Sequence, residues 1–259
     1  SPETPGSAYV LLHHVFGEID GEKGAWGHAV GGMGSITQLM KSACEEKGVE
    51  ISTNAPVEKI LIKNNKANGV MLEDGTQIFA DKIISNLNPK LLFKKLVDEN
   101  DVEQEYLRKI LNYKCGSGTF RMNVALSELP DFNCLPGKEI SEHHKSGIVI
   151  APTLTYMDDA FTDAKQYGWS NNPIVEMLIP STVDSTLAPE GKHVASLFCQ
   201  QFAPTLPDNK SWHDEKANAA NTIIETVNKF APNFKESILG ISILSPLDLE
   251  EKLGLVGGD

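Results

Sequence analysis

The chain has 259 residues, 41% of them hydrophobic, and a formal net charge of −12. That length and hydrophobic content support one large domain or two smaller ones with a real core. The acidic balance argues against a nucleic-acid partner, and with only Arg108 and Arg121 as arginines a phosphate-rich substrate is not expected either.

In chain order, the first strong signal is the glycine cluster Gly31, Gly32 and Gly34 around Met33. Glycines there let the backbone take positive φ and pack closely. A helix follows, with Ile36, Leu39, Met40, Ala43 and Lys47 recurring at i, i+3, i+4 spacing, which predicts a stripe turned toward a core. Gly48 stands where a left-handed residue would end that helix. Short strands are expected over 49–51 and 57–62. Asn64-Asn65 turns the chain, Val70-Met71-Leu72 returns it and Asp74-Gly75 turns it again, which makes a three-stranded meander. Lys82-Ile83-Ile84 has the length and apolarity of a buried parallel strand and runs into Ser85-Asn86.

The remainder mixes helices and strands without βα regularity. Helices are expected over 87–97, 102–112, 156–165 and 212–230, the last capped by Ser211 with Asp214 completing a capping box and Pro232 forbidding continuation. Strands are expected over 116–126, 147–151, 174–179, 193–201 and 238–244, with a short last helix from Pro246. The first of these alternates strictly: Phe120, Met122, Val124 and Leu126 share one face, and Thr119, Arg121 and Asn123 the other. That is a strand of an antiparallel sheet with one polar or cavity-lining face. The fold class expected for this chain is therefore α+β.

Candidate chemistry is sparse. The glycine cluster fails as a dinucleotide fingerprint at its third glycine position, lacks a strand before it, and taken alone is a structural helix entry. The adjacent pairs His13-His14 and His143-His144 point apart in regular structure and are poor metal geometry, so no metal is expected. No G-x-S-x-G elbow accompanies the serines. Cys44, Cys115, Cys134 and Cys199 are scattered and read as free thiols of a reducing compartment. Arg121, mid-strand on a polar face, needs a partner, and an ordinary salt bridge competes with a place in a cavity wall.

The order of these parts is more specific than any one of them. The stretches GAWGHAVGGMGSI, PVEKILI, ADKIISNLNPK, IPSTVDSTLAPEGKHVASLF and LSPLDLEEKLGLVGGD resemble the phytoene desaturase (carotenoid dehydrogenase)-like FAD-dependent oxidoreductases, and the likeness spans nearly the whole chain.

The resemblance implies an α/β parent with a Rossmann-type FAD domain assembled from discontinuous segments and a substrate domain with an antiparallel or mixed sheet and helices. It divides this chain into a substrate-domain segment and linker (1–30), a piece of the FAD domain (31–90) and a substrate-binding domain (91–259). It implies that Val57 contacts FAD, its backbone pairing with the adenine. The Gly31-Gly32 turn would lie in the FAD domain near the flavin side, and Ser85 and Asn86 where the chain re-enters that domain. The strand carrying Arg121 and Asn123, and the closing Gly258-Asp259, would face the flavin and substrate cavity. The family's N-terminal G-x-G-x-x-G and C-terminal flavin-contacting segment have no counterpart here. The chain is accordingly expected to be an internal fragment, weak or inactive in FAD binding and turnover by itself. The expected partner is a small apolar molecule dehydrogenated by hydride transfer to FAD. An amine oxidase-like flavoenzyme and a non-catalytic lipid- or partner-binding protein resembling the Rab GDP-dissociation inhibitors are the alternatives. No apolar run is long enough to cross a membrane, although peripheral contact is compatible with the resemblance. The expected location is intracellular, in the cytoplasm of a bacterium or the mitochondrial matrix of a eukaryote.

Overall fold

A computed structural model describes residues 4–7, 9, 16–24, 27–116 and 118–258. His13, His14 and Asp259 lie outside the described residues. A two-residue hairpin, β1 (Glu18–Ile19) with β2 (Glu22–Lys23), precedes the first long helix, α1 (Met33–Glu46). The three-stranded meander follows in the order β3-β4-β5: β3 (Val57–Lys63), β4 (Lys66–Leu72) and β5 (Gln77–Phe79). Asn64 and Asn65 make the first turn at φ 53° and 58°, the left-handed pair that a two-residue hairpin demands.

Two expected strands are absent. Residues 49–51 join no ladder, and 82–84 pair with no strand, among the described residues. A short apolar strand of a parallel sheet needs a paired neighbour and cover on its faces; Ile84, 94% exposed, has no paired strand among the described residues. Where one helix was expected over 87–97, α2 (Pro89–Leu91) passes into a π-helical turn, Leu92–Leu96. Asn88 caps its start by accepting from the Lys90 amide at 2.9 Å, with Pro89 at the first helical position. The next helix is α3 (Gln104–Leu111).

The second sheet has five strands in the order β10-β6-β9-β8-β7, all antiparallel. These are β6 (Thr119–Leu126), β7 (Ile148–Ile150), β8 (Trp169–Leu178), β9 (His193–Phe202) and β10 (Ile238–Leu244). Between them lie α4 (Glu142–Lys145), α5 (Leu154–Tyr167), α6 (Trp212–Phe230), α7 (Phe234–Ser237) and, at the end, α8 (Pro246–Leu253). The alternation read in β6 is reproduced: Phe120, Met122, Val124 and Leu126 are fully buried, joined from β9 by Ala195, Leu197 and Cys199. Ala219, Ala220, Ile223 and Val227 of α6 close this core from one side. Phe120, Phe202, Trp169 and Trp212 form an aromatic cluster at one end, where the Trp212 indole donates to the Ala203 carbonyl at 2.9 Å.

The cap of α6 is one-sided. Ser211 accepts from the His213 amide, and the Asp214 side chain does not return the bond as the expected box requires. Reciprocal boxes form instead at Ser141/His144 and Ser245/Asp248. The largest departure concerns α1: it buries no residue, and Leu39 and Met40 are 71% and 63% exposed. Its stripe faces no core among the described residues.

Candidate functional site

Three of the sequence-predicted cofactor residues converge. Val57 opens β3, an edge strand of the meander, so alternate backbone groups along it have no partner strand. The extended segment through Ile84, Ser85 and Asn86 returns beside it, and the helical turn carrying Leu91 and Lys95 closes the other side. Together they bound a mostly apolar cleft of about 430 Å³. Ile60 and Val70 are among its apolar lining, while Ser85, Asn86 and Lys95 supply its polar groups. The segment is pinned by one local and one longer-range bond. Ser85 Oγ accepts from the Leu87 amide at 3.2 Å, and Asn88 donates to Cys115 Sγ at 3.6 Å. The π turn, a helix form often found at functional sites, brings Lys95 to the rim.

Gly31 and Gly32 lie elsewhere. Both have φ 83°, open to glycine and costly for other residues. The Gly31 amide donates to Asp184 Oδ2 at 2.7 Å, and a side chain on Gly32 would meet Leu187 at 3.4 Å. The turn therefore docks on the loop before β9 rather than on the cleft. Asp184 is nearly buried, and its carboxyl is held below the ordinary range by the Thr186 hydroxyl and amide first, then by the Gly31 amide and His28.

Arg121 and Asn123 sit on the sheet face that faces away from the buried core, with Asn123 exposed. The salt bridge weighed for Arg121 does not form among the described residues. The guanidinium lies 5.0 Å from the Phe198 ring centre and donates to Ser196 Oγ at 3.3 Å, both on the neighbouring strand. Glu176, opposite Phe198 on β8, accepts instead from Gln200 at 2.9 Å. The open face thus carries Val149, Leu178 and Phe198 beside Arg121, Asn123 and Glu176, a mixed apolar and polar wall.

Gly258 is buried against Pro246, where a Cβ would come within 2.6 Å of the proline Cα. Gly257 packs on the backbone of Cys115 and Gly116. Pro246 follows two residues after Leu244, which is register-paired with Arg121, so the glycine turn and Arg121 share one end of the sheet. Asp248 secures that end: it accepts from Ser245 and pairs with Lys252 at 2.7 Å and Lys216 at 3.3 Å. Burial pushes its carboxyl up, but those partners outweigh it and hold the group well below the usual carboxylate range.

His143 and His144 do not point apart; their ring centres are 3.9 Å apart. His144 is buried, accepts from the Ser141 amide through Nδ1 at 3.2 Å and approaches the Pro130 carbonyl through Nε2 at 3.0 Å, a structural role. No group of side chains suited to a metal ion exists among the described residues. Cys199 is buried, and burial pushes its thiol far up, so it is inert packing.

Residues 3–119 match the family described as flavin containing amine oxidoreductase. The whole chain is 36% identical to pyridine nucleotide-disulfide oxidoreductase domain-containing protein 2 of Rattus norvegicus, covering 46% of that protein. It is 23% identical to the lycopene-forming phytoene desaturase of Pseudescherichia vulneris, over 98% of this chain and 48% of that one. The chain is similar to flavin oxidoreductases that include a phytoene desaturase. It spans about half the length of these curated relatives. In fold it is similar to an oxidoreductase crystal structure from Methanosarcina mazei, with a TM-score of 0.59 at 20% identity, covering 83% of this chain and 43% of that one.

Sequence reasoning missed Asp184, His28 and Lys95. The pattern Asp184-Ser185-Thr186 signals a local Asx turn, but nothing in it shows a partner 153 residues away.

Proposed function

We propose that this chain forms part of an FAD-dependent oxidoreductase that dehydrogenates a small apolar substrate. The observation that carries the reading is the cleft of about 430 Å³ on which Val57, Ser85 and Asn86 meet. Its mostly apolar lining suits a planar ring, and the free edge of β3 offers backbone donors and acceptors beside it. In this reading Val57 holds the adenine end of FAD through its backbone, and Ser85 and Asn86 bound the same end. The Gly31-Gly32 turn lies toward the flavin, where its lack of side chains permits close approach. When bound, FAD supplies the acceptor for a hydride; the protein supplies orientation and excludes water.

The residues assigned here to the substrate are Arg121 and Asn123, with Gly258 at the same end of the sheet. Val149, Leu178 and Phe198 give that wall the apolar area that a hydrocarbon-like substrate requires. The relatives include a phytoene desaturase, whose name points to the same substrate chemistry. The piece 31–90 would be completed by FAD-domain strands, and 91–259 would form the substrate domain. The test is titration of FAD into the full-length polypeptide and into this chain, followed by flavin fluorescence. Tight binding by the former and binding weaker than micromolar by the latter is expected. A full-length polypeptide that takes no flavin contradicts the reading.

A further inference from the structure

One carboxylate from far along the chain holds the glycine turn that precedes α1. Asp184 lies between the short 3-10 turns Pro180–Thr182 and Ser185–Leu187 and is only 5% exposed. Its Oδ1 accepts from the Thr186 amide at 3.0 Å and the Thr186 hydroxyl at 2.6 Å. Those two bonds fix the carboxylate plane and leave Oδ2 for the Gly31 amide at 2.7 Å, with His28 Nε2 at 3.8 Å. Leu187 of the same loop rests against Gly32. The helix that follows buries nothing, so its body offers no competing anchor. A hydrogen bond to an ionised acceptor is roughly twice as strong as a neutral one, and a nearly buried carboxylate is costly unless satisfied in this way.

We propose that Asp184 is a positioning residue: the loop 180–187 of the five-stranded half clamps the Gly31-Gly32 turn and sets its attitude toward the cofactor site. The clamp itself stands on geometry; its consequence for the cofactor rests on the flavin reading above. The groups that face the carboxylate are Thr186 from its own loop and the Gly31 amide and His28 from the segment before α1. The carboxylate is ionised at neutral pH, so the clamp is closed there. It opens only in acid, as the acceptor is protonated below the ordinary carboxylate range.

Glycine-selective 15N labelling of this 259-residue chain reads the clamp at the Gly31 amide. In the unsubstituted chain that amide is expected to exchange slowly and to shift with an acidic midpoint. Asp184→Ala should speed its exchange on the order of tenfold while amides of β6 and β9 are unchanged. Asp184→Asn, which keeps an acceptor oxygen, should restore part of the protection and abolish the titration. Unchanged Gly31 exchange in a folded Asp184→Ala variant overturns the clamp. Should that variant not fold, a Gly31 amide that fails to titrate in the unsubstituted chain overturns it equally. In the flavin-loaded full-length polypeptide, Asp184→Asn should alter the visible circular dichroism of the flavin at an unchanged melting temperature. An unaltered flavin signal with a positive Gly31 result would leave the clamp standing and remove its link to the cofactor.

Discussion

Arg121 shows how far a single side chain can be read. Its place on the face opposite Phe120 and Met122 follows from strand alternation, but its partner does not. Phe198 and Ser196 lie across the ladder on β9, about eighty residues away in the chain, and only the register sets them there. Stacking leaves the guanidinium half-buried with no carboxylate, free to meet a ligand on the open face. Under the proposed flavin reading, Arg121→Ala in the full-length polypeptide should therefore lower turnover or substrate affinity while the flavin spectrum and melting temperature stay near their original values. Unchanged kinetics would remove Arg121 from the site. Gly258 makes an opposite, purely steric case, with φ at 70° and proline backbone against any added Cβ. Gly258→Ala should cost about 1–3 kcal/mol, from the left-handed penalty plus the forced shift. Chemical denaturation of this chain checks it, and an unchanged midpoint would contradict the packing described.

At the scale of elements, periodicity located most of the second sheet and its helices to within a few residues. It fixed α6 and β10 at both ends because Ser211, Pro232 and Pro246 punctuate them. It failed where an element finds no partner among the described residues. The stripe Ile36, Leu39, Met40 has helical spacing, yet every one of those side chains is exposed. Leu39→Asp should accordingly change the stability of this chain by no more than about 0.5 kcal/mol, as for other surface positions. Under the proposed reading, in which further strands complete the FAD domain, the same substitution in the longer polypeptide should be strongly destabilising. A large loss already in this chain would show that α1 packs on something here. Two elements that carry histidines, α4 and β9, respond to pH. Burial lowers the pKa of His143 and of His193, with the neighbouring His144 contributing to both. The unfolded chain then binds more protons than the folded one as pH falls through the ordinary histidine range, so stability falls with it. The melting temperature should drop between about pH 7 and 5.5, and His143→Gln with His193→Gln should flatten that slope.

The whole molecule divides its apolar surface unevenly. The five-stranded sheet and α6 enclose a continuous core, whereas Met33, Leu39, Met40, Phe79 and Ile84 leave the first part open. That contrast fits a chain covering 46% of a relative aligned along its whole length. The resemblance to flavin oxidoreductases was legible because the order of glycine turn, meander and re-entrant Ile84-Ser85-Asn86 is specific even when each piece is weak. The cleft that joins Val57 to Asn86 was legible only as a likeness, since its walls come from segments that no local pattern relates. Hydrogen exchange should protect β6, β8 and β9 far more than α1, because only the former sit in a closed core; equal protection would mean one cooperative unit. The most direct test of the central claim is the visible absorption spectrum of the purified full-length polypeptide. Flavin bands that weaken on Val57→Pro, which removes a backbone donor at the rim of the cleft, are the predicted result. A spectrum with no flavin bands, or bands indifferent to that substitution in a folded protein, would contradict the assignment of the cleft.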